Sequence, residues 1–314
     1  MYKSVVGGKG GISAKVVADS ITKEGSRITT MELTYHRFIH GEFMTHRQFS
    51  RNASSSRAIP VKTMLENIED NPAVPIHWGK NQAGMQANEE CNSYVFTEES
   101  VGWDAGREEV WKYLANESSD VANRFAEAGY HKQIANRITE PYQFIKVVCT
   151  STEWDNFFNL RLHKDAQPEI AELARCMKQA MEESIPDELL AGFWHLPYVN
   201  NDWIKELDDG NDFLHDIGKD IKCSVARCAR VSYLNHDNSS PDIEKDIALA
   251  DMLLEAGHMS PFEHVAVPMM FPKTSEDDWG VFNERGQTHI DFNGDYWSGN
   301  FKGFIQYRQT LGDK

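Results

Sequence analysis

Between Thr45 and Arg57 the chain reads Thr-His-Arg-Gln-Phe-Ser-Arg-Asn-Ala-Ser-Ser-Ser-Arg, the densest polar cluster in the sequence. Three arginines, a histidine, an asparagine and four serines fall within these 13 residues. Guanidinium groups grip phosphates and carboxylates through paired N–H donors, and short hydroxyls add neutral donors beside them. Arg57 next to Ser54 and Ser55 therefore suits a phosphate. A solvated loop is the plainer reading, but this cluster follows directly on the apolar segment Phe38–Met44 of an acidic protein. Further along, Trp154, Phe157, Phe158 and Arg161 fall at the spacing of one helix face. An arginine in an aromatic stripe is either a cation–π structural residue or a ligand-binding cation, and spacing leaves both open.

Other chemistries lack their residues. The glycines of Val6-Gly7-Gly8-Lys9-Gly10-Gly11 have neither the Walker spacing nor its Lys-Ser/Thr pair, and no GxGxxG occurs, so any dinucleotide binds by another route. His258, Glu263 and His264 do not form an HExxH, no CxxC exists, and no metal site is expected. The serines at 54 to 56 are not in a GxSxG elbow, which disfavours hydrolase chemistry. The five cysteines are odd in number and scattered, which argues for a reducing cytoplasm and against a disulfide framework. With 48 acidic against 32 basic residues the net charge is −16, which repels nucleic acid. A bound phosphate must be held by a local arginine cluster against that field. No apolar run approaches the roughly 20 residues of a membrane span, and the first residues lack a secretion signal.

These side chains need elements to position them. At 314 residues and 40% apolar content the chain can bury a core as one large or two fused domains. Alternation from Ile12 to Thr34 about Gly25-Ser26 predicts a strand hairpin. Two helices are expected within 60–130, one of them over Arg107–Ala128. A strand over Ile145–Val148 then leads to a helix capped by Ser151 or Thr152. The helix from Pro168 carries Ile170, Leu173, Ala174, Met177 and Met181 as a core stripe. Residues 184–222, with Trp194, Tyr198 and Trp203, read as an irregular connection between residues 1–183 and 223–314, the whole forming one intertwined domain. A further helix is expected with Ser240 as cap, Pro241 at its first position and Gly257 as terminator, followed by a strand. The tail from Trp279 is polar and aromatic and closes in Asn300–Arg308.

At this point three blocks carry a resemblance. Residues 45–57 are similar to the signature loop of flavin-dependent thymidylate synthases, R-H-R-x-x-S-x-N-x-x-S-x-R. Asn136-Arg137-Ile138-Thr139-Glu140-Pro141 and the helix ending in Asn159-Leu160-Arg161 resemble that family's second block. Ala229-Arg230-Val231-Ser232-Tyr233 and Gly257-His258-Met259-Ser260-Pro261-Phe262-Glu263-His264 resemble its third. The third block stands first in common members, so this chain looks permuted, which is tolerable where native termini lie close together. Thr45 replaces the first arginine of the signature, Ala53 an acid, Glu42 a glutamine, and Asp165 the histidine of some members.

The resemblance implies an α+β fold with a mixed or antiparallel sheet and packed helices, assembled as a homotetramer whose sites lie across subunits. It implies reductive methylation of dUMP to dTMP without an enzyme nucleophile, and no cysteine here follows a proline. FAD, NADPH and methylenetetrahydrofolate are the implied cofactors. Arg161 would stabilise charge near N3 of the pyrimidine. Ser54, Ser55, Arg57 and Arg137 would hold the nucleotide. His46, Arg47, Asn52 and Asn156 would contact flavin, with Thr150, Ser151, Thr152 and Ser260 near its phosphates or adenosine and His258 bordering the pocket. Gln306 and Arg308 are expected to replace the side chains missing at Glu42 and Thr45. Two other readings stay open: methyl or hydroxymethyl transfer to another pyrimidine deoxynucleotide, and a non-catalytic nucleotide sensor.

Overall fold

The structure, a computed structural model, describes residues 2–190, 192–199, 216–231, 239–270 and 285–312. Trp203, Trp279 and the Ser232-Tyr233 pair of the third block lie outside the described residues. A short strand, Ser4–Gly7 (β1), precedes two ten-residue strands, Ser13–Thr22 (β2) and Arg27–His36 (β3). The turn between them closes through Gly25, whose φ of 92° is strained for any side chain and whose N–H donates to Thr22 O at 2.9 Å. Ser50–Ala53 (β4), Phe144–Ser151 (β5) and Asp187–Leu189 (β6) complete a six-stranded sheet. Its order is β1-β2-β3-β5-β4, antiparallel throughout, with β6 running parallel to the end of β2.

The pleat sorts side chains to two faces. Val147 and Cys149 point with Met31 and Leu33 toward the helix Pro168–Glu183, while Val148 and Val17 pack on Tyr198, Cys228 and Val231. That helix is started by the Gln167 side chain, which accepts from Ile170 N at 2.9 Å, and by Pro168 in its first turn. Ile170, Leu173, Ala174 and Met177 are fully buried as expected, and Met181 is partly so. Each large side chain so buried contributes about 1.5–3 kcal/mol. The C-terminal half packs helix Ile217–Arg230 on helix Ile243–Glu255, with Arg227 Nε donating to buried Asp246 Oδ2 at 2.9 Å. Ala266–Pro268 (β7) follows. His289–Ile290 (β8), Tyr296–Ser298 (β9) and Phe301–Lys302 (β10) form a small antiparallel sheet. The last strand, Phe304–Gln306 (β11), returns to pair with β7. No helix among the described residues is long and apolar enough to cross a membrane.

Three local expectations are corrected. Asp242, not Ser240, caps its helix, because its carboxylate accepts from both Glu244 N and Lys245 N. The helix carrying Arg161 starts at Asp155 after Trp154, since the Ser151 hydroxyl is spent on Glu153, accepting from its N–H and donating to its carbonyl. Helix Ile217–Arg230 runs through the boundary expected at 222.

A chain of hydrogen bonds crosses the buried side of the sheet. Ser20 Oγ meets His195 Nδ1 at 2.9 Å, His195 Nε2 meets Thr30 Oγ1 at 2.8 Å, Thr30 Oγ1 meets Thr150 Oγ1 at 2.7 Å, and Thr150 Oγ1 meets His264 Nδ1 at 2.8 Å. Burial holds both imidazoles neutral, each lowered to about 3. Register makes the chain possible, because Thr30 lies opposite Thr150. Thr30→Val keeps the shape, orphans His195 Nε2 and leaves Thr150 Oγ1 with His264 alone, so it should cost roughly 1–3 kcal/mol. A lower urea midpoint at unchanged slope checks this; an unchanged midpoint would show that the chain contributes nothing.

Candidate active site

The cation-rich loop takes its shape from the short helix His40–Phe43. Met44 N returns to His40 O at 3.0 Å, and the Thr45 hydroxyl donates to Glu42 O at 2.7 Å, so Thr45 finishes the helix end instead of presenting a charge. Phe43 and Phe49 then anchor the loop in an aromatic cluster. Phe49 lies 4.8 Å from Trp154 and 5.2 Å from Phe157, ring centre to ring centre, and His46 meets Phe157 edge-on at 4.8 Å. The Trp154, Phe157 and Phe158 stripe is therefore packing surface, and it delivers Arg161 to the loop from the last turn of helix Asp155–Arg161.

Arg161 Nε donates to His46 Nε2 at 2.8 Å. A guanidinium only donates, so His46 accepts here and carries its proton on Nδ1. The imidazole is lowered to about 4, by burial first and then by the charges of Arg161 and Arg51. Arg161 and His46 open on a cleft of about 660 Å³, lined also by Thr45, Arg47, Gln48, Phe49, Asn156, Leu160 and Trp297. A second cavity of about 460 Å³, which includes Thr152, Trp154 and Lys302, shares the wall formed by Glu153 and Asp155.

The structure thus brings His46, Arg47, Asn156 and Arg161 together and sorts the other expected residues elsewhere. Ser54 extends β4, its N–H donating to Lys146 O and its hydroxyl accepting from Lys146 N. Ser55 Oγ accepts from Arg57 N, forming a turn. Asn136, fully buried, clamps that turn by donating to Ser56 O and Ile59 O, and so sets Arg137 beside it. The guanidiniums of Arg57 and Arg137 are exposed and unpaired among the described residues. Asn52 Oδ1 is buried without a partner among them. Thr150 and Ser151 are fully buried, with their hydroxyls used inside the protein, and Thr152 Oγ1 accepts from Lys302 N at 2.9 Å. His258 and Ser260 are exposed and stand outside the cleft lining.

The tail reaches the loop, but not as a source of charge. Gln306 is buried and its Nε2 donates to Ser50 Oγ, Asn300 Oδ1 and Glu263 O. Asn300 Nδ2 donates to Gln48 O at 2.8 Å. Arg308 pairs with Glu263. Neither Gln306 nor Arg308 lines the cleft. Glu153, Asp155 and Trp297 are lining residues that lie outside the motif residues assigned to the site, and Trp297 is far from all of them in sequence.

The family model described as thymidylate synthase complementing protein matches residues 26–187, just over half of the chain. The chain belongs to the thymidylate synthase complementing protein family. This is the family of flavin-dependent thymidylate synthases, the resemblance read from the motifs. The matched span holds the signature loop and the helix of Arg161, whereas the third block lies beyond it. No curated protein matches the sequence. One solved structure, a UMP/dUMP methylase PolB from Streptomyces cacaoi bound with 5-Br UMP, is 16% identical at a TM-score of 0.38, covering 55% of this chain and 89% of that one. A likeness so slight transfers neither fold nor function.

Because His46 sits far below its ordinary value near 6.5, its contribution to stability is present above that value and is lost as pH falls through about 4. Between pH 8 and 5 the ring should stay neutral with its proton on Nδ1. Imidazole nitrogen shifts followed by NMR check this, and a midpoint near 6.5 would contradict it.

Proposed function

We propose that this protein is a flavin-dependent thymidylate synthase that reductively methylates dUMP to dTMP, using FAD, NADPH and methylenetetrahydrofolate. The observation that carries the reading is the Arg161–His46 pair at 2.8 Å, where a family motif on a helix and a family motif on a loop meet at one cleft. The donor set fits a flavin: Arg47 and Asn156 offer N–H groups to a carbonyl-rich ring, and the cleft volume lies within the range of small-molecule sites. When bound, the flavin supplies the passage and reduction of the one-carbon unit.

The chain's own residues supply positioning and charge. Arg161, held by His46, meets negative charge developing on the pyrimidine, and because its guanidinium is already oriented little reorganisation is needed. His46, Arg47 and Asn156, which line the cleft, contact the flavin. Ser54, Ser55, Arg57 and Arg137 hold the nucleotide phosphate and base. Arg57 and Arg137 are exposed in one chain, as are Tyr113, Leu114, Val121, Tyr130 and Ile134, which supports a homotetramer in which one copy's arginines serve another copy's cleft. The shared Glu153–Asp155 wall suits a reaction that needs more than one small ligand side by side.

The test is a flavin spectrum of the purified protein, turnover of dUMP and dCMP, and the product mass. Hydroxymethylated product, or turnover of dCMP alone, would favour the sister transferase. Arg161→Ala should keep the fold and bound flavin and lose about a hundredfold or more in turnover. Arg161→Lys should also be poor, because an ammonium cannot reproduce the planar fork. Near-normal turnover in the flavin-loaded variant would remove Arg161 from the mechanism.

Arg57→Ala should raise the dUMP dissociation constant roughly ten- to a hundredfold, as for one lost charged hydrogen bond, and spare FAD. Loss of FAD with unchanged dUMP affinity would exchange the two ligands' places.

A further inference from the structure

One wall of the cleft comes from no motif. Trp297, on β9, lines it together with Asn156, Leu160 and Arg161. Its indole is fixed from several sides. Trp297 Nε1 donates to Asp291 Oδ2 at 3.0 Å, and Asp291 is itself held, since its Oδ1 accepts from Asn293 N and Asp295 N. The ring lies parallel to that of His289, at 5.8 Å and 11°. The β9–β10 hairpin is tied to the cation loop by Asn300, which donates to Gln48 O, and Gln306 of β11 braces that contact by donating to Asn300 Oδ1 and Ser50 Oγ. The indole therefore keeps a set position relative to His46, Arg47 and Arg161.

What such a ring offers a ligand follows from its chemistry. The N–H is already used by Asp291, so the surface left for the cleft is the apolar π system. Left in water, beside two arginines and two carboxylates, that surface gains nothing. A planar ring stacked on it removes both faces from water, and the indole loses no rotamer freedom because it is already fixed. Stacking on an aromatic side chain tolerates any heteroaromatic ring, while Arg47 and Arg161, which line the same cleft, can donate to the polar edge of that ring.

We propose that Trp297 is the aromatic platform of this cleft, on which the planar heteroaromatic ring of a phosphate-bearing ligand stacks. The inference rests on the synthase reading, in which that ring is either the isoalloxazine of the flavin or the pyrimidine of the nucleotide.

The experiment titrates FAD and dUMP separately into the full-length protein by calorimetry, and follows the emission of bound flavin, which an adjacent indole quenches. Trp297→Leu should weaken one of the two ligands about tenfold or more, and Trp297→Phe should stay within about threefold of wild type. If FAD is the weakened ligand, flavin emission should also recover in Trp297→Leu, which a merely structural residue would not cause. If dUMP is weakened, the platform holds the base. Should Trp297→Leu fail to fold, His289→Ala removes an exposed ring behind the indole and should weaken the same ligand about threefold. Unchanged affinity for both ligands in the folded variant overturns the platform while leaving the synthase reading intact. A wild-type protein that binds neither ligand overturns both.

Discussion

Burying a hydroxyl or imidazole without a hydrogen bond is costly, and the centre of this protein is arranged around that constraint. Ser20, His195, Thr30, Thr150 and His264 are hydrogen-bonded in a line across three strands and two later segments of the chain; the line ends at His264 Nε2, buried without a partner among the described residues. The line exists only in one register of β3 on β5, because a slip of one residue would turn Thr150 to the opposite face. Two of its members come from the C-terminal half, so the same bonds that fix the sheet also fix where that half sits. Hydrogen-bonded networks of this kind specify one arrangement more sharply than apolar packing does.

The site depends on a related use of burial. A protonated His46 would place a second positive charge 2.8 Å from the Arg161 guanidinium. Repulsion at that range is of the order of several kcal/mol even at an effective dielectric of about 20. Packing the ring against Phe49 and Phe157 keeps it neutral, and it then serves as an acceptor that aims the arginine. In a chain of net charge −16 this matters further, because the few cations near the cleft must act by placement and not by number.

Much of this was legible from residue order. Period-two alternation located the β2–β3 hairpin, and the apolar stripe located the helix from Pro168. The aromatic spacing put Arg161 on the correct face of its helix. Contacts between distant segments were not legible. Nothing local marks His195 and His264 as partners of threonines, or Trp297 as a neighbour of Arg161. Thr45 illustrates the difference: in sequence it is an arginine lost, whereas in space its hydroxyl closes a helix end that a long charged side chain would close less well. Gln306 and Arg308 do not take the expected places of the side chains missing at Glu42 and Thr45: Gln306 holds Ser50, Asn300 and the Glu263 carbonyl, and Arg308 pairs with the Glu263 carboxylate.

The bond between Asn300 and Gln48 spans 252 positions of the chain. During synthesis the cation loop leaves the ribosome 252 positions ahead of its latch. Until residues near 306 emerge, the loop has its aromatic anchor but lacks the hairpin that forms the facing wall. A nascent chain can thus build its sheet while its cleft stays unfinished, and contacts of such long sequence separation form late in folding. A break in the chain before Asn300 would leave the loop without its latch and the cleft without its facing wall.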